Sequence, residues 1–362
     1  MTSEELDSLR EQISAIDNDI LTLVAKRLET AREIGRTKRK DELGIRDHSR
    51  EEFVVKSAAA KAARSGIDHK TASTITEVLI DAAVRAQDDD LVRPLEGKKA
   101  LVVGAGRMGA WTARFLSNRG ASMSVFDPRA ELKGYPNVES PGEAAKEADM
   151  VIIASPLGTA VSDTQQIIDS SPKGVIFDLC SVKAHMRELL LDSVKRGLKA
   201  TSVHPMFGAN VATPAGLNVL VCSCGCSEAD ETARNLFGGA GARIINVPLD
   251  EHDNLIAYAL GAPHLCALLF GQITSKSSHP VDVLSAIQGP SFSRLADLAS
   301  GITNESRRVY HDIQRLNPLS IAVLESMATE LEALKEASLS VDAGAFAKIM
   351  DEQKSYFRGW SR

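Results

Sequence analysis

Apolar residues recur every three or four positions through the first forty residues, which is the spacing of one face of a helix. The repeat runs through Leu6, Leu9, Ile13, Ile16, Ile20, Leu23, Val24, Leu28, Ala31 and Ile34. It predicts one helix of about 37 residues and roughly 55 Å, over residues 4–40, with Thr2 and Glu5 as a capping box. Because so long a stripe needs an equally long partner, we expect a helical dimer.

Two shorter periodic segments, at about 47–65 and 69–88, follow and are separated by Ser65-Gly66, so the first ninety residues are expected to be helical. Beyond a polar junction near Pro94, short apolar runs alternate with helical segments, a pattern that predicts a parallel sheet covered by helices. The expected strands are 100–103, 122–126, 150–154, 175–179, 201–203 and 219–222.

From about residue 251 onward the strand pattern is lost, and long aliphatic stretches such as 319–339 indicate a helical domain. We therefore expect a multi-domain protein that combines α and α/β domains. The predicted domains are a three-helix module at 1–92, an α/β domain at 96–250 and an all-helical domain at 251–362, which would bind substrate and contribute to dimerisation.

The composition narrows the range of partners. The 362 residues are 44% hydrophobic and 25% charged, which is typical of a folded protein, and the net charge of −6 argues against binding nucleic acid. We expect no signal peptide and no apolar stretch approaching the ~20 residues that span a bilayer. The five cysteines are interpreted as reduced thiols, without a metal site. A cytoplasmic protein without a membrane partner is the expectation.

Three glycines follow the first predicted strand and begin the next helix, in ALVVGAGRMGAWTARFL. Gly104 would allow the tight turn, Gly106 the approach of a pyrophosphate, and Gly109 close helix packing, while the helix N-terminus attracts the phosphates. This context predicts a Rossmann-type dinucleotide-binding domain. The residues expected to bind the cofactor here are Gly104, Gly106, Arg107, Met108 and Gly109.

A carboxylate ends the second predicted strand of this domain. Asp127, in SVFDPR, can accept the ribose hydroxyls and would repel a 2′-phosphate, so NAD is favoured as cofactor. Arg129 nearby leaves NADP open. Ser155 and Pro156, after the next strand, are expected to border the nicotinamide side, with a plain loop as the alternative.

Two cations stand where the long helical stripe predicts apolar residues. The heptad through Leu6, Ile13 and Ile20 next reaches Arg27. Lys38 lies eleven residues later, within about 20° of the same direction and ~16 Å further along the axis. The two side chains could grip one small anion, and the alternative on spacing alone is that both turn to solvent at a helical interface.

The segment LREQISAIDNDILTLVAKRLETAREIGRTK, followed by IRDHSREE, resembles the all-helical chorismate mutase family, in which three helices from each of two chains interlock. The resemblance covers about residues 4–90. The positions that match the family's site are Arg10, Arg27, Lys38, Asp47, Arg50, Glu51 and Gln87. Ala83 stands where many members have a serine, so one polar contact to the substrate is missing.

The family's chemistry accounts for these residue types. Chorismate is a dianion whose rearrangement is unimolecular, so the protein has only to hold and polarise it. The resemblance implies that Arg10, Arg27 and Arg50 clamp carboxylates, with Arg10 entering the neighbouring chain's site. It also implies that Lys38 and Gln87 hydrogen-bond the ether oxygen. Glu51 would receive the ring hydroxyl.

The α/β and C-terminal regions, from about residue 98 to 360, resemble prephenate dehydrogenase. The motifs that carry this resemblance are DLCSVK at 178–183, HPMFG at 204–208, EHD at 251–253 and PHL at 263–265. It implies that His204 accepts the proton of the substrate hydroxyl, with Ser181 orienting the imidazole and touching the nicotinamide. His264 would help to bind substrate, and Arg294, in GPSFSRL, would pair with a prephenate carboxylate.

Plainer interpretations exist for these residues. A lone histidine is usually structural, and Arg294 without the family match is interpretable as a surface charge. Lys183, His252 and His311 are interpreted in this structural way.

The chain is thus expected to be a bifunctional enzyme of tyrosine biosynthesis that converts chorismate to prephenate and oxidatively decarboxylates prephenate to 4-hydroxyphenylpyruvate with NAD. One alternative is a mutase fused to an arogenate dehydrogenase. Another is a helical module that only senses chorismate or dimerises.

Overall fold

A computed structural model describes residues 3–40, 48–89 and 94–359. The chain divides into two compact units. The first comprises residues 1–180 and 188–248, and the second comprises 181–187 and 249–362. The junction after Pro248 lies two residues before the expected 250/251 boundary. The predicted three-way division into 1–92, 96–250 and 251–362 stays a prediction.

The N-terminal module consists of three helices. Helix α1 spans Ser3–Lys40 and is 38 residues long, α2 spans His48–Ala62, and α3 spans His69–Asp89. Both α1 and α2 pack against α3. A short 3₁₀ turn, Ala63–Ser65, ends at Gly66, whose φ of 73° lies in the left-handed region that favours glycine. The predicted helices of this module are confirmed.

The apolar stripe of α1 is largely exposed within a single chain. Ile13 is 59% exposed and Ile20 is 52% exposed, and Leu9 and Ile16 are exposed to a similar degree. Ala31, further along the helix, is buried. Packing within one chain therefore leaves most of the stripe uncovered, as the expectation of a long helical partner requires.

A seven-stranded sheet forms the centre of the α/β region, with strand order β2-β1-β3-β4-β5-β6-β7. The strands are β1 Lys99–Val103, β2 Ser122–Phe126, β3 Met150–Ile153, β4 Val175–Asp178, β5 Ala200–Pro205, β6 Asn218–Cys222 and β7 Arg243–Asn246. The first five strands of this order, β2-β1-β3-β4-β5, are parallel to one another. Their apolar residues are largely buried, as in sheets that are covered on both faces.

Helices connect most of the strands: α4 Arg107–Asn118, α5 Pro141–Glu147, α6 Leu157–Asp169, α7 Ala184–Lys195 and α8 Ser227–Gly238. The core between sheet and helices is rich in aromatic residues. Trp111 stacks on Phe115, and Phe115 in turn stacks on Phe237. The Rossmann-type architecture predicted from sequence is confirmed.

Two details of the sheet differ from the prediction. β6 pairs antiparallel with β5, so the sheet is mixed rather than wholly parallel, and β7 at the edge was not predicted. Strand β6 ends at Cys222, and the thiol of Cys224, two residues later, is directed to the Cys222 carbonyl oxygen at 3.7 Å.

The second unit is helical after residue 249, as predicted. Its helices are α9 His252–Ile256, a π-helical turn Ala257–Gly261, α10 Ala262–Ser275, α11 Val281–Ala286, α12 Pro290–Thr303, α13 Arg307–Leu316, α14 Ser320–Leu339 and α15 Gly344–Tyr356. Helix α10 packs against α12 and also contacts α14. A group of large apolar side chains in this unit stays exposed: Leu269, Ile273, Val281 and Ile287.

Because the π-helical turn joins α9 to α10, His252–Ser275 forms one continuous run of 24 residues. Within the described chain, this run is the one helix long and apolar enough to cross a membrane by length and composition. The sequence analysis expected no apolar segment of that length, so that expectation was wrong. Length and composition are weak evidence of a membrane span, since core helices of soluble proteins meet the same criterion.

Candidate functional site

The turn between β1 and α4 is built so that only glycine fits at two positions. Gly104 has φ +112°, and a Cβ there would lie 2.7 Å from the carbonyl oxygen of Ala154. A Cβ on Gly109 would lie 1.9 Å from the carbonyl oxygen of Gly104. The backbone N–H of Gly104 donates to Phe126 O at 2.7 Å, which ties the turn to β2. These contacts hold the N-terminus of α4 close to the ends of the strands.

The first turn of α4 offers backbone N–H groups to a ligand. Gly106 is the N-cap residue and supplies no side chain to these groups. A Cβ on Gly106 would meet no protein atom within 4 Å, so the space beside it is open to a ligand. Arg107 is exposed and Met108 is partly buried. Unpaired N–H groups at a helix N-terminus bind anions such as the pyrophosphate of a dinucleotide.

The carboxylate of Asp127 is fixed by the backbone on both sides. Its Oδ2 accepts the N–H of Ala105 at 2.9 Å and its Oδ1 accepts the N–H of Arg129 at 2.8 Å. Both oxygens keep a second lone pair for ribose hydroxyls. Asp127 lines a surface depression beside Gly104, as the prediction of a cofactor ribose site requires.

Ser155 and Pro156 line this same depression, next to Asp127 and Arg129. The sheet order accounts for this, because β1 lies between β2 and β3, so the residues that follow β2 and β3 meet at one crevice. Their expected place on the nicotinamide side stays a prediction. The hydroxyl of Ser155 donates to Val103 O at 3.3 Å.

His204 lies on β5 and is only 3% exposed. Ser202, two residues earlier, is on the same face of the strand. The hydroxyl of Ser202 donates to Oδ2 of Asp178 at 2.5 Å, and Oδ1 of Asp178 accepts the N–H of Cys180 at 2.8 Å. The fully buried Asp178 therefore ties the end of β4 to β5 near the predicted base, a function that the sequence analysis missed.

Trp111 anchors the loop that follows His204. Its indole N–H donates to Val211 O at 2.9 Å, and its ring meets Phe207 edge to face at 5.1 Å. Phe207 belongs to the HPMFG motif. One side chain of α4, the helix that begins the dinucleotide site, thus fixes the segment after the predicted catalytic histidine.

In the second unit, Asp253 holds the segment that contains Ser181. Its two carboxylate oxygens accept the N–H groups of Lys183 and Ala184, each at 2.7 Å, at the start of α7. Oδ1 also lies 2.7 Å from Nδ1 of His252. Burial would raise the pKa of Asp253, but the hydrogen bonds from His252, Lys183 and Ala184 outweigh burial and lower it.

Asn317 holds the backbone of Asp253 in place. Its side-chain amide donates to the carbonyl oxygen of Asp253 at 2.8 Å and accepts the N–H of Leu319 at 2.9 Å. The EHD motif at 251–253 was one of the motifs that carry the family resemblance, but the neighbouring sequence does not indicate what the Asp253 carboxylate binds. Ser181 and the predicted base His204 belong to different units, so their pairing stays a prediction.

His264 lies on α10, partly buried, with its ring edge to face against Tyr310 at 4.6 Å. Burial lowers its pKa, and the negative charge of Glu305 opposes this shift only in part. Gln314, one turn after Tyr310, donates to Gly261 O at 3.2 Å. Arg294 is exposed on α12, a helix that packs against α10.

The structure describes some of the side chains that were predicted to form the mutase site. The guanidinium of Arg27 is partly buried and donates to Leu79 O of α3 at 2.5 Å, so it is turned toward the neighbouring helix. Arg10 is exposed and pairs with Asp7 at 3.0 Å. Ala83 is buried on α3, one turn after Leu79. The structure does not describe the side chains of four predicted site residues, Lys38, Arg50, Glu51 and Gln87. A fifth, Asp47, lies outside the described residues altogether.

A glycine turn after β1 of a mostly parallel sheet, a carboxylate at the end of β2 and a buried histidine on β5 are typical of a nicotinamide-dinucleotide dehydrogenase, here with an additional helical module. Family models identify both parts. The chorismate mutase type II model matches residues 9–88, and the prephenate dehydrogenase nucleotide-binding model matches 129–219. The NAD-binding model of D-isomer specific 2-hydroxyacid dehydrogenases matches 62–172. The chain therefore combines a chorismate mutase type II domain with a prephenate dehydrogenase nucleotide-binding domain.

Similar proteins agree with this assignment. A Haemophilus influenzae protein named T-protein is 23% identical over 99% of this chain and 94% of its own length. A probable arogenate/prephenate dehydrogenase of Methanocaldococcus jannaschii is 25% identical over 71% of this chain, which covers only 60% of that protein. A. aeolicus prephenate dehydrogenase, solved with hydroxyphenyl propionate and NAD+, has the same fold, with TM-score 0.59 and 18% identity over 74% of this chain and 99% of that one.

Proposed function

We propose that this chain catalyses two consecutive steps of tyrosine biosynthesis: the rearrangement of chorismate to prephenate, and the NAD-dependent oxidative decarboxylation of prephenate to 4-hydroxyphenylpyruvate. The observation that carries the proposal is the presence of both family domains on one chain, at 9–88 and 129–219. The described geometry of Arg27 and of the glycine turn supports a binding function in each.

In the mutase step the protein acts through charge and position. Arg27 is held against α3, where a carboxylate of the dianion can meet it, and the exposed Arg10 is available to the neighbouring chain's site. Arg50 supplies a third guanidinium. Bidentate arginine pairs of this kind fix the reactive shape of a carboxylate substrate.

The ether oxygen gains negative charge as the C–O bond breaks. Lys38 and Gln87 donate hydrogen bonds to that oxygen, which lowers the barrier because the donors are already in place. Glu51 accepts the ring hydroxyl, and Asp47 helps to place the substrate. Ala83 offers no hydroxyl, so we expect weaker chorismate binding than a serine would give.

We further propose that the enzyme is a homodimer. The exposed stripe of α1, including Ile13 and Ile20, supports this, because apolar surface of this extent is seldom left in water. A partner helix along the stripe would also bring Arg10 to the second site.

In the dehydrogenase step, bound NAD supplies a hydride acceptor. His204 takes the proton of the substrate hydroxyl, and Ser181 orients the imidazole. His264, which burial keeps neutral, and Arg294 bind the substrate, Arg294 through a carboxylate. Loss of carbon dioxide then yields the aromatic ring.

We propose a cytoplasmic location and small-molecule partners only, without nucleic acid or membrane. The run His252–Ser275 supports this because its first residues carry the network of His252 and Asp253, which is tied to Lys183. Such a network is costly within a bilayer.

The test uses the purified full chain. Chorismate consumption is followed without NAD, and NADH formation is followed with prephenate and, separately, with arogenate. We expect turnover of chorismate and a higher kcat/KM for prephenate. A preference for arogenate would establish that alternative, and chorismate binding without turnover would make the helical module a sensing unit. The same assay with NADP decides the cofactor.

A further inference from the structure

The depression beside the glycine turn has two walls. One wall follows β2 and contains Asp127 and Arg129, and the other follows β3 and continues into α6 with Thr159 and Asp163. In the proposed NAD site, the glycine turn at one end would hold the pyrophosphate, and Asp127 would hold the ribose next to it. The space between the walls is therefore the place of the base that the ribose carries.

The side chains on the wall that follows β2 offer few free hydrogen-bond acceptors to the base. Both oxygens of Asp127 already accept a backbone N–H, and their remaining lone pairs face the ribose hydroxyls. Arg129 offers donors only. A donor on the base must find its acceptor on the other wall.

Asp163 is the carboxylate on that other wall. It lies on α6 one turn after Thr159, it is partly buried, and no hydrogen bond or ion pair of its side chain occurs with the described residues. Thr159 directs its hydroxyl to Pro156 O at 3.3 Å, so it does not compete for a donor on the base. A partly buried carboxylate gains most from a directed N–H donor.

We propose that Asp163 accepts a hydrogen bond from the 6-amino group of the adenine. This bond makes the site prefer adenine to a base that carries a carbonyl at the same position. The ring nitrogens that adenine leaves free are acceptors, and its 6-amino group is the donor that can meet a carboxylate. The inference rests on the proposed use of a nicotinamide adenine dinucleotide and adds a base-recognising residue to it.

The test compares NAD with nicotinamide hypoxanthine dinucleotide, in which a carbonyl replaces the 6-amino group. Both are titrated by calorimetry into the wild-type chain, Asp163→Asn and the control Asp169→Asn. Asp169 lies on the same helix but bonds Gln165 at 2.7 Å instead of lining the depression. The readout is the dissociation constant, so turnover does not enter.

The wild type and Asp169→Asn should bind NAD about 10-fold or more tighter than the hypoxanthine analogue, because a carboxylate directed at position 6 meets the repelling carbonyl oxygen there, while the N1–H that the analogue gains lies at the neighbouring ring position. Asp163→Asn should reduce that ratio to about 3-fold or less, since an amide can accept from the amine or donate to the carbonyl. An unchanged ratio in Asp163→Asn, or equal binding of both dinucleotides by the wild type, would overturn the assignment.

Failure of the cofactor proposal gives a different result. In that case the wild type would bind NAD no better than an unrelated nucleotide such as GTP, and no ratio could be formed. If Asp163→Asn weakened the binding of both dinucleotides equally, Asp163 would act on the ribose or on Arg129. That result would also contradict recognition of the base.

Discussion

The carboxylate of Asp253 accepts the backbone N–H of Lys183 at 2.7 Å, across seventy residues of sequence. A second bond from Ala184 makes this carboxylate the cap of helix α7, although it belongs to another helix. The segment it fixes begins at Ser181, the residue predicted to orient the catalytic histidine. If Ser181 has its predicted role, Asp253 is a positioning residue for the dehydrogenase.

Asp253→Asn should lower dehydrogenase kcat while leaving mutase turnover unchanged. The amide keeps one acceptor but turns an N–H toward a backbone donor, which costs about 1–3 kcal/mol of unfolding free energy. Urea unfolding measures the stability, and the two assays measure the activities. Asp282→Asn, at an exposed position of α11, is the control. Equal loss of both activities would point to general misfolding instead.

The stability of the protein should fall as the pH drops below about 6.5, partly through His264. Burial lowers the folded pKa of His264, so the unfolded chain takes up a proton first and protonation favours unfolding. Asp253 adds a second loss at lower pH, below about 4, since its folded pKa is also depressed. His264→Gln should flatten the decline near pH 6, and thermal unfolding from pH 5 to 8 checks this. An identical pH profile in the variant would be incompatible with a depressed pKa.

His204→Asn should reduce the dehydrogenase rate about 100-fold or more because the amide cannot accept the substrate proton at neutral pH. NAD affinity and mutase turnover should stay within about 3-fold of wild type. His279→Asn, at an exposed position, is the matched control. A variant that retains the wild-type rate would remove His204 as the base.

Lys38→Ala should abolish mutase turnover while NAD-dependent oxidation of prephenate continues. The ammonium group is expected to stabilise the charge on the ether oxygen, a contribution of about 100-fold or more in rate. Lys26→Ala removes an exposed charge from the same helix and should be silent. If Lys38→Ala turns over chorismate at the wild-type rate, the ether oxygen is stabilised by other groups.

Trp111→Phe should destabilise the α/β region by about 1–3 kcal/mol, because Val211 O loses its indole donor and the contact with Phe207 shrinks. Trp111 is 1% exposed, so water cannot easily replace that donor. Urea unfolding followed by circular dichroism gives the change. Trp360→Phe, which removes the second tryptophan, serves as the comparison, and equal stability of all three proteins would mean that the loop has another anchor.

The elements that the sequence predicted well are those whose pattern is local. A period of three to four over forty residues specified α1, and short apolar runs specified β1, β3 and β4, because buried parallel strands are apolar on both faces. The glycine turn was predictable for the same reason, since its motif from Gly104 to Gly109 spans only six residues.

The features that escaped prediction depend on distant neighbours. Nothing in the residues 218–222 distinguishes a parallel strand from the antiparallel one that β6 forms. The short edge strand Arg243–Asn246 lacks a buried apolar run. The partners of Asp253 depend on a contact over seventy residues of sequence.

Among the described residues, two apolar faces remain uncovered, one along α1 near Ile13 and one in the second unit near Ile273 and Ile287. Self-association through both faces would give a closed assembly when one two-fold axis serves both faces, or when two such axes intersect at an angle that closes, as in a tetramer of D2 symmetry. If the two axes do not intersect in this way, each chain recruits two others, and open filaments form at high concentration. Substituting Ile13 with a charged residue would then shorten such filaments to pairs.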